Sequence, residues 1–413
     1  MDLEAIELYI RRSMHEVGRV LLERLLNADG AGYHGSSLRC ELNHCSKFVE
    51  RRTKELLTVL GPIRVERSYY YDAKCEKGIC PRDKELQIEN TGFSPGLQRM
   101  MVRVGALRPF AQGREDMLEL AGVEVSAKDI ERISHDMGQK VEKFLTAQGV
   151  LSRSAETLYI SMDGTGVPMV ARELVGRKGK AEDGRARTRE AKLGCIFTGD
   201  TLDEKGFPIR DEGSTSYVGA IESAGEFAER LLMEADRRGV KIARRVVAIG
   251  DGAEWIWNFV QEHLPQAQQI VDLYHAREYY WGVARAFYGA RPERLRTWTD
   301  ARREELDRGD VESVIRAIRR LRSGGGIELQ KLCEVAVGYY RNNIHRMRYA
   351  NFRQQGLFIG SGVLEAGCRT VIGQRLKLSG MHWTLSGANS IISLRCCLLS
   401  RRWEDFWASR AAA

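Results

Sequence analysis

Apolar positions recur with a helical period over residues 1 to about 28. The repeating side chains are Ile6, Ile10, Met14, Val17, Leu21, Leu22 and Leu25. Residues 29 to about 90 change to short β-like runs, such as ELLTVLG and IRVERSYYY. Residues 91 to about 150 return to a helical period. The amino-terminal third is therefore predicted to be a long helix, a small sheet and a further helical segment.

The pattern changes again from about residue 157, where apolar runs alternate with amphipathic helices. TLYISMDG, RRVVAIGDG and QQIVDLYHA are predicted strands, and KLGCIFTGD and STSYVGA are further candidates. SAGEFAERLLMEADRRGV and AEWIWNFVQEHLP are predicted helices. This alternation indicates an α/β domain with a central sheet. Residues 276 to about 355 are helical and arginine-rich, which is too long for one crossover and predicts an inserted helical subdomain.

These patterns predict five segments. They are 1–95, an N-terminal helix and zinc-ribbon-like region; 96–150, helical; 151–275, the first part of the α/β core; 276–355, the helical insertion; and 356–413, two helices that complete the core.

Composition narrows the class of protein. The chain has 413 residues, 43% of them hydrophobic, and no stretch approaches the roughly 20 apolar residues of a membrane helix. The N-terminus lacks the features of a signal peptide, so a soluble cytoplasmic protein with no membrane partner is expected. An odd count of nine cysteines argues against a disulfide framework. The net charge of +8 is compatible with a polyanionic partner.

Three carboxylates are the candidate chemistry. Asp163 and Asp251 each end an apolar strand and precede a glycine, a position at which ligand crevices form in α/β sheets. Two such neighbouring carboxylates favour a divalent metal between them, although Asp-Gly also simply marks a turn. Glu365 follows in GSGVLEAGC at a helix start, where the helix dipole alone would also stabilise it. Asp272 and Glu254 are the reserve candidates.

Basic residues supply candidate DNA contacts, each with a plainer alternative. Residues 118–138 have a helix-turn-helix pattern with Gly122 at the turn and Ser126 as the cap, although ordinary helical hairpins share it. The basic segment 175–192 is either a solvated hairpin loop or a phosphate-contacting loop. His275, in Asp-Leu-Tyr-His, is either a metal or DNA contact or a structural hydrogen bonder. The candidates are Lys128, Arg132, Arg177, Lys178, Lys180, His275, Arg369, Arg375 and Lys377.

The cysteines divide into two groups. Cys40 and Cys45, and then Cys75 and Cys80, form two C-x4-C pairs typical of a zinc site, with His44 as a possible replacement for one thiolate. Unpaired cysteines on loops are the alternative. The remaining five are predicted to be core residues: Cys195, Cys333, Cys368, Cys396 and Cys397.

Several long blocks carry a resemblance to a known family. They are YISMDGTGVPM, GRKGKAEDGRARTREAKLGCIFT, AIGDGAEWIWN, QIVDLYHARE, NNIHRMRYANFRQQGLFIGSGVLEAGCRTVIGQRLK and SGMHWTLSGANSII. Through them the chain resembles bacterial insertion-sequence transposases of the ISKra type, within the DDE superfamily. One departure is the cysteine spacing, which is closer in those relatives.

The resemblance implies an RNase H-like mixed-sheet core in which Asp163, Asp251 and Glu365 hold two Mg²⁺ or Mn²⁺ ions for DNA phosphoryl transfer. It also implies that the protein binds DNA, both element ends and target, as a homo-oligomer near the nucleoid. Zn²⁺ is a further candidate ion on the ground of the cysteine pairs alone. Two alternatives stay open: a domesticated, non-catalytic DNA-binding protein, and an RNase H-like nuclease or resolvase without strand transfer.

Overall fold

A computed structural model describes residues 2–40, 43–147, 149, 155–179, 186–204, 206–289, 291–360 and 362–411. The chain divides into two compact units, Met1–Asp136 and Met137–Ala413. The division falls inside the segment predicted as 96–150, within a single helix.

The first unit combines helices with a four-stranded antiparallel sheet. Its elements are α1 (Leu3–Asn27), β1 (Ser37–Arg39), β2 (Cys45–Thr58), β3 (Gly61–Asp72), β4 (Lys77–Ile79), α2 (Pro81–Glu85), α3 (Pro95–Leu107), α4 (Phe110–Asp116), a π-helical turn (Met117–Ala121) and the start of α5 (Ala127–Ala147). The strands pair in chain order, and β2 and β3 form a long hairpin. Alternation along β3 turns Ile63 and Val65 inward, where they pack with Leu56 and Ile88.

The predicted first helix is present, but its apolar repeat does not face the sheet. Leu22 and Leu26 pack against the core, and the side chains of Glu23 and Asn27 accept hydrogen bonds from backbone N–H groups of β3. These contacts occupy one face of α1, and most of the seven repeating apolar positions lie outside that face. Of the repeat, only Leu22 is packed on the core among the described residues; Ile10, Met14, Val17, Leu21 and Leu25 are all more than half exposed.

The predicted turn between α4 and α5 has the expected local geometry. Gly122 adopts a left-handed conformation with φ 68°, which glycine tolerates without steric cost. Ser126 Oγ accepts a hydrogen bond from Asp129 N across 3.0 Å at the start of α5. Ile130 and Ile133 are buried, so the two helices share a core at this turn.

The second unit is built on a five-stranded mixed sheet with helices around it. Its elements are β5 (Thr157–Pro168), β6 (Thr188–Thr198), β7 (Thr201–Leu202), β8 (Pro208–Ile209), β9 (Ser216–Ala220), α6 (Ala224–Arg237), β10 (Arg245–Gly250), α7 (Glu254–His263), β11 (Gln268–Val271), α8 (Leu273–Tyr288), α9 (Pro292–Arg308), α10 (Val311–Arg322), α11 (Ile327–Asn343) and α12 (Tyr349–Gln354). The strand order is β11-β10-β5-β6-β9, with β5, β10 and β11 parallel and β6 and β9 antiparallel to their neighbours. The predicted α/β class with a mixed sheet is confirmed.

The centre of this sheet is buried on both faces. Tyr159, Ile160, Val247, Ala248 and Ile270 all have no exposed surface. Strands buried on two faces read as continuous apolar runs rather than alternating ones, which is the pattern their sequences show. Helices α8 to α12 follow the sheet. Tyr349 on α12 donates to the carbonyl of Val271 at the end of β11, and Tyr340 on α11 donates to the carbonyl of Ala276 on α8.

The chain ends in helices that return to the sheet. They are α13 (Gly362–Gly367), a π-helical segment (Cys368–Gly373), α14 (Gln374–Leu376), α15 (Leu385–Leu399) and α16 (Trp403–Ala411). Asn389 on α15 bonds to both backbone groups of Ile221, beside the end of β9. Within the described residues, no helix combines the length and apolar character that crossing a bilayer requires.

Candidate active site beside the carboxyl end of β10

Asp163 and Asp251 follow the last paired residues of two parallel strands. β5 and β10 pair up to Met162 and Gly250, and an aspartate comes directly after each of these residues. Both aspartates are half-buried, whereas the strand residues before them are buried. Asp251 therefore follows the end of β10, as the sequence predicts. The predicted strand end at Asp163 is wrong, because β5 continues to Pro168 and pairs there with β6; only its pairing with β10 ends at Met162.

Asp163 is held by two donors. Cys368 Sγ donates to Asp163 Oδ2 across 3.2 Å, and the Gly164 backbone N–H donates to Oδ1 across 2.6 Å. Burial raises the pKa of Asp163, these two hydrogen bonds oppose that effect, and the charge of Asp251 raises the pKa further. Burial also lifts the pKa of Cys368 well above its usual value, so the group that faces Asp163 is a thiol.

Asp251 sits in a turn that is braced by the helical insertion. Its Oδ1 accepts a hydrogen bond from Ala253 N across 2.8 Å, and its carbonyl accepts one from the Tyr339 hydroxyl across 2.9 Å. Tyr339 in turn stacks on Tyr279, with ring centroids 3.8 Å apart. Gly252 has φ 104°, and a Cβ added there would lie 2.6 Å from the Tyr339 ring. The turn thus needs glycine for both its backbone conformation and its space.

Asp272 directly follows the neighbouring strand β11 and is the N-cap of α8. It caps α8 by accepting the His275 N–H across 2.7 Å, is 4% exposed, and donates its own N–H to the Gly250 carbonyl. His275 is about one-third exposed, and its Nδ1 lies 3.5 Å from Glu278. Its position beside Asp163 lowers the pKa of that carboxyl. Glu254, the other reserve candidate, is exposed at the first residue of α7.

Glu365 belongs to α13, and its side chain lies outside the described part of the structure. The helix itself contacts β5 and β6. Cys368, three positions after Glu365, touches Asp163. The backbone that carries the predicted third acid therefore runs beside the strand that carries the first.

The basic candidates of the second unit divide by exposure. Arg177, Lys178, Arg369 and Lys377 are exposed, and Lys377 Nζ donates to Thr165 Oγ1 on β5. Lys180 lies outside the described residues. Arg375 is a correction, because its side chain has no exposed surface and packs 5.0 Å from the centroid of Trp383. Arg369 lies within the π-helical segment Cys368–Gly373, and Arg375 lies in the short α14 that follows it.

In the first unit, Lys128 and Arg132 are both exposed on α5. Arg132 forms an ion pair with Asp129, with 3.1 Å between Nη2 and Oδ1, and lies 5.7 Å from the centroid of the Phe93 ring. Both side chains are thus accessible, as the helix-turn-helix pattern requires of basic residues.

The cysteine pairs meet only in part. Cys40 and Cys75 come together with His44 and Asp72, and the four candidate ligand atoms all lie within 4.8 Å of one another. Cys45 is exposed and Cys80 is partly buried, and neither joins this group in the part of the chain that the structure describes. The reason is local: Cys45 follows His44 directly in extended chain, where successive side chains alternate in direction.

The acidic and thiol groups of this cluster perturb each other. Burial raises the pKa of Asp72, but hydrogen bonds from the Cys40 thiol and from the N–H groups of Lys74 and Cys75 outweigh it and lower the pKa to about 2. Burial and the neighbouring Cys40 and Asp72 raise the pKa of Cys75 to about 11. The cluster thus holds a charged carboxylate against two thiols.

The sheet-edge geometry suits a hard divalent cation. Two half-buried carboxylates on neighbouring parallel strands concentrate negative charge, and carboxylate oxygens are the ligands that Mg²⁺ and Mn²⁺ prefer. Burial is the main cause of the raised pKa of Asp163, and the charge of Asp251 adds to it. Asp163 and Asp251 can therefore hold such an ion, and chemistry on phosphate oxygens becomes available to the site.

Two residues of this site were missed by sequence reasoning. Cys368 was predicted to be a core residue, yet it is half-buried and touches Asp163. Its spacing of three from Glu365 was the available signal, because residues three apart in a helix share a face. Tyr339 lies 88 residues from Asp251 in sequence, and no local pattern connects the two.

Comparison with known proteins identifies a family whose description names no activity. A family model described as "Uncharacterised protein family (UPF0236)" matches residues 1–395. A Streptococcus gallolyticus protein described as "UPF0236 protein in vanSb 3'region" is 23% identical over 327 residues, which cover 77% of this chain and 67% of that protein.

Proposed function

Because the chain belongs to the uncharacterised protein family UPF0236, whose description names no activity, we propose its function from the site: it is a DNA transposase of the DDE type. In this proposal the second unit is an RNase H-like core, and Asp163, Asp251 and Glu365 are its catalytic acids. The resemblance to ISKra-type transposases supplies the reaction, which is metal-dependent cleavage of DNA strands followed by strand transfer.

One observation carries the proposal. Asp163 and Asp251 emerge together from paired parallel strands, and Asp163 is contacted by Cys368, three residues after the predicted third acid. The order along the chain, strand aspartate, strand aspartate, helical insertion and helix glutamate, matches the order in the family it resembles. Neither a helix cap nor a simple turn accounts for all these features together.

The residues around the acids have distinct tasks. Asp163 and Asp251 would hold the metal ions, and the N–H of Gly164 and the thiol of Cys368 orient Asp163. Tyr339 fixes the backbone turn that aims Asp251. Mg²⁺ or Mn²⁺, once bound, would activate a water or a DNA 3′-hydroxyl and stabilise the leaving oxygen.

Exposed basic side chains support DNA as the substrate. Lys377 donates a hydrogen bond to Thr165, which lies two residues after Asp163 on β5. Arg369 directly follows Cys368 in the sequence. Arg177 and Lys178 belong to the basic segment between β5 and β6. Cations of this kind position DNA by phosphate contacts, which are independent of base sequence.

The test uses the wild-type full chain and a DNA duplex that carries the sequences flanking its coding frame. With Mg²⁺, the proposal predicts strand cleavage and, with added target DNA, joined products; without a divalent ion it predicts binding alone. Cleavage without joined products would favour the nuclease alternative. Binding with no cleavage in either Mg²⁺ or Mn²⁺ would favour the non-catalytic DNA-binding protein and contradict the proposal.

A further inference from the structure

The first unit contains a second chemical site, formed by two hairpin turns. The turn between β1 and β2 carries Cys40 and His44 and is closed by a hydrogen bond from Cys40 N to the His44 carbonyl, 2.9 Å long. The turn between β3 and β4 carries Asp72 and Cys75, and Asp72 Oδ1 accepts the N–H groups of both Lys74 and Cys75. Pairing of β2 with β3 brings the two turns together.

Four different ligand atoms converge there. The Sγ atoms of Cys40 and Cys75 are 3.6 Å apart, and His44 Nδ1 lies 2.9 Å from Cys75 Sγ and 3.9 Å from Asp72 Oδ2. In a tetrahedral zinc site with bonds of about 2.3 Å to sulfur, two thiolates are about 3.8 Å apart. The measured spacing is therefore close to that of a metal site, and far from the roughly 2.05 Å of a disulfide.

Asp72 provides an independent sign of a cation. The residue is 2% exposed, and apart from the thiols of the cluster its Oδ2 has no hydrogen-bond donor within the described residues. Thiols are weak donors, and a buried carboxylate oxygen without strong donors is usually paired with an ion or a metal. Because Oδ2 is the oxygen nearest to His44 Nδ1, it points into the cluster.

A catalytic cysteine is the competing interpretation of a Cys, His and Asp group, and the geometry disfavours it. In a triad, the acid orients the imidazole through the ring nitrogen that does not face the nucleophile. Here both Cys75 Sγ and Asp72 Oδ2 approach the same nitrogen, Nδ1 of His44. A triad also has no use for the second thiol of Cys40, which lies in contact with the first.

We propose that Cys40, His44, Asp72 and Cys75 bind one Zn²⁺ ion that clamps the two hairpin turns together. Two sulfurs, one nitrogen and one oxygen are a ligand set that suits zinc. Mg²⁺ and Ca²⁺ prefer oxygen ligands alone, so this set does not suit them. Four protein ligands leave no open position, so the site is structural. This ligand set differs from the four cysteines that the sequence spacing predicts. The proposal is independent of the activity proposed for the second unit.

The experiment measures zinc by mass spectrometry in the purified full chain, with Co²⁺ substitution as a spectroscopic check. The proposal predicts one Zn²⁺ per chain, and thiolate-to-cobalt charge-transfer absorption in the Co²⁺ form. Cys40→Ser, Cys75→Ser and Asp72→Asn should each lower zinc affinity by more than the roughly 10–100-fold that an outer-shell partner contributes. Cys45→Ser and Cys80→Ser are matched controls that should keep the metal.

A metal titration of the wild-type protein tests the proposal even when a variant fails to fold. After removal of metal with a chelator under reducing conditions, Zn²⁺ should raise the Tm and Mg²⁺ should not. Three results would overturn the proposal: no bound zinc and no Tm response, equal loss of zinc in the Cys45 and Cys80 variants, or a Cys40–Cys75 disulfide in protein that has no affinity for zinc after reduction.

Discussion

Cys368 Sγ and Asp163 Oδ2 lie 3.2 Å apart, and the thiol is the donor. This contact joins the π-helical segment after α13 to the middle of β5. It holds the backbone that follows Glu365 against the strand that carries Asp163.

Replacement of Cys368 should raise the Mg²⁺ concentration that cleavage requires, although all three acids remain. For Cys368→Ala we expect the Mg²⁺ concentration for half-maximal cleavage to rise by about 10-fold, because partners of a ligand typically contribute 10–100-fold. Cys368→Ser keeps a donor and should stay within a few fold of wild type. Cys333→Ala, a buried cysteine on α11, is the control. Equal behaviour of the Ala and Ser variants would show that the hydrogen bond is unimportant.

The turn after Asp251 should not tolerate a side chain. Gly252→Ala places a Cβ 2.6 Å from the Tyr339 ring at φ 104°, a backbone conformation that costs other residues about 1–3 kcal/mol. We expect cleavage to fall at least 10-fold while DNA binding is kept. The matched variant is Gly338→Ala on α11, where an added Cβ would meet nothing within 4 Å and helix propensity improves. Parallel kinetic assays of the two variants check this, and normal cleavage by Gly252→Ala would contradict the role of the turn.

Two arginines that look alike in sequence should behave differently. Arg369→Ala removes an exposed cation, so DNA binding should weaken and the slope of log K against log salt should fall by about one unit. Arg375→Ala instead removes a fully buried side chain and should cost about 2 kcal/mol or more of stability. Salt-titrated binding and thermal unfolding separate the two effects. A lower salt slope in a stable Arg375→Ala protein would contradict its burial.

The burial of Asp163, with the charge of Asp251 nearby, should appear as a stability cost that depends on pH. The pKa of Asp163 is raised in the folded protein, so its contribution to stability is full below the unfolded value of 3.8 and is lost as the pH rises through the folded value. In metal-free protein, Asp163→Asn should therefore raise the Tm at pH 7 by on the order of 1–3 °C. The difference should shrink towards pH 4.

Magnesium should reverse this order, because it stabilises only the form that binds it. Glu229→Gln, an exposed acid on α6, is the control and should shift the Tm at neither pH. A metal-free Asp163→Asn protein that is less stable than wild type at pH 7 would contradict the electrostatic account.

Much of the fold was predictable because its signals are local. The apolar runs that end in Asp163 and Asp251 are strands buried on both faces, and such runs are continuous in sequence. Gly122 and Ser126 behave as predicted because a left-handed turn and a helix cap depend on one or two residues each.

The rest of the site depends on features that local patterns do not contain. Arg375 is a DNA-contact candidate by its charge alone, but it is fully buried beside Trp383, and no local pattern shows that packing. Even spacing of the cysteine pairs favours four thiols, but the direction of each side chain from its turn decides that Asp72 and His44 join instead. Tyr339 reaches Asp251 only through the packing of the helical insertion.

The most direct test of the central claim compares single-turnover cleavage with DNA binding for Asp163→Asn, Asp251→Asn and Glu365→Gln in the presence of Mg²⁺. Glu229→Gln, an exposed acid on α6, serves as the control. The account predicts that each of the three variants loses cleavage while it binds DNA at least as tightly as wild type, since a negative charge near phosphate has been removed. Cleavage that survives in all three variants would contradict the account, whatever the binding data show.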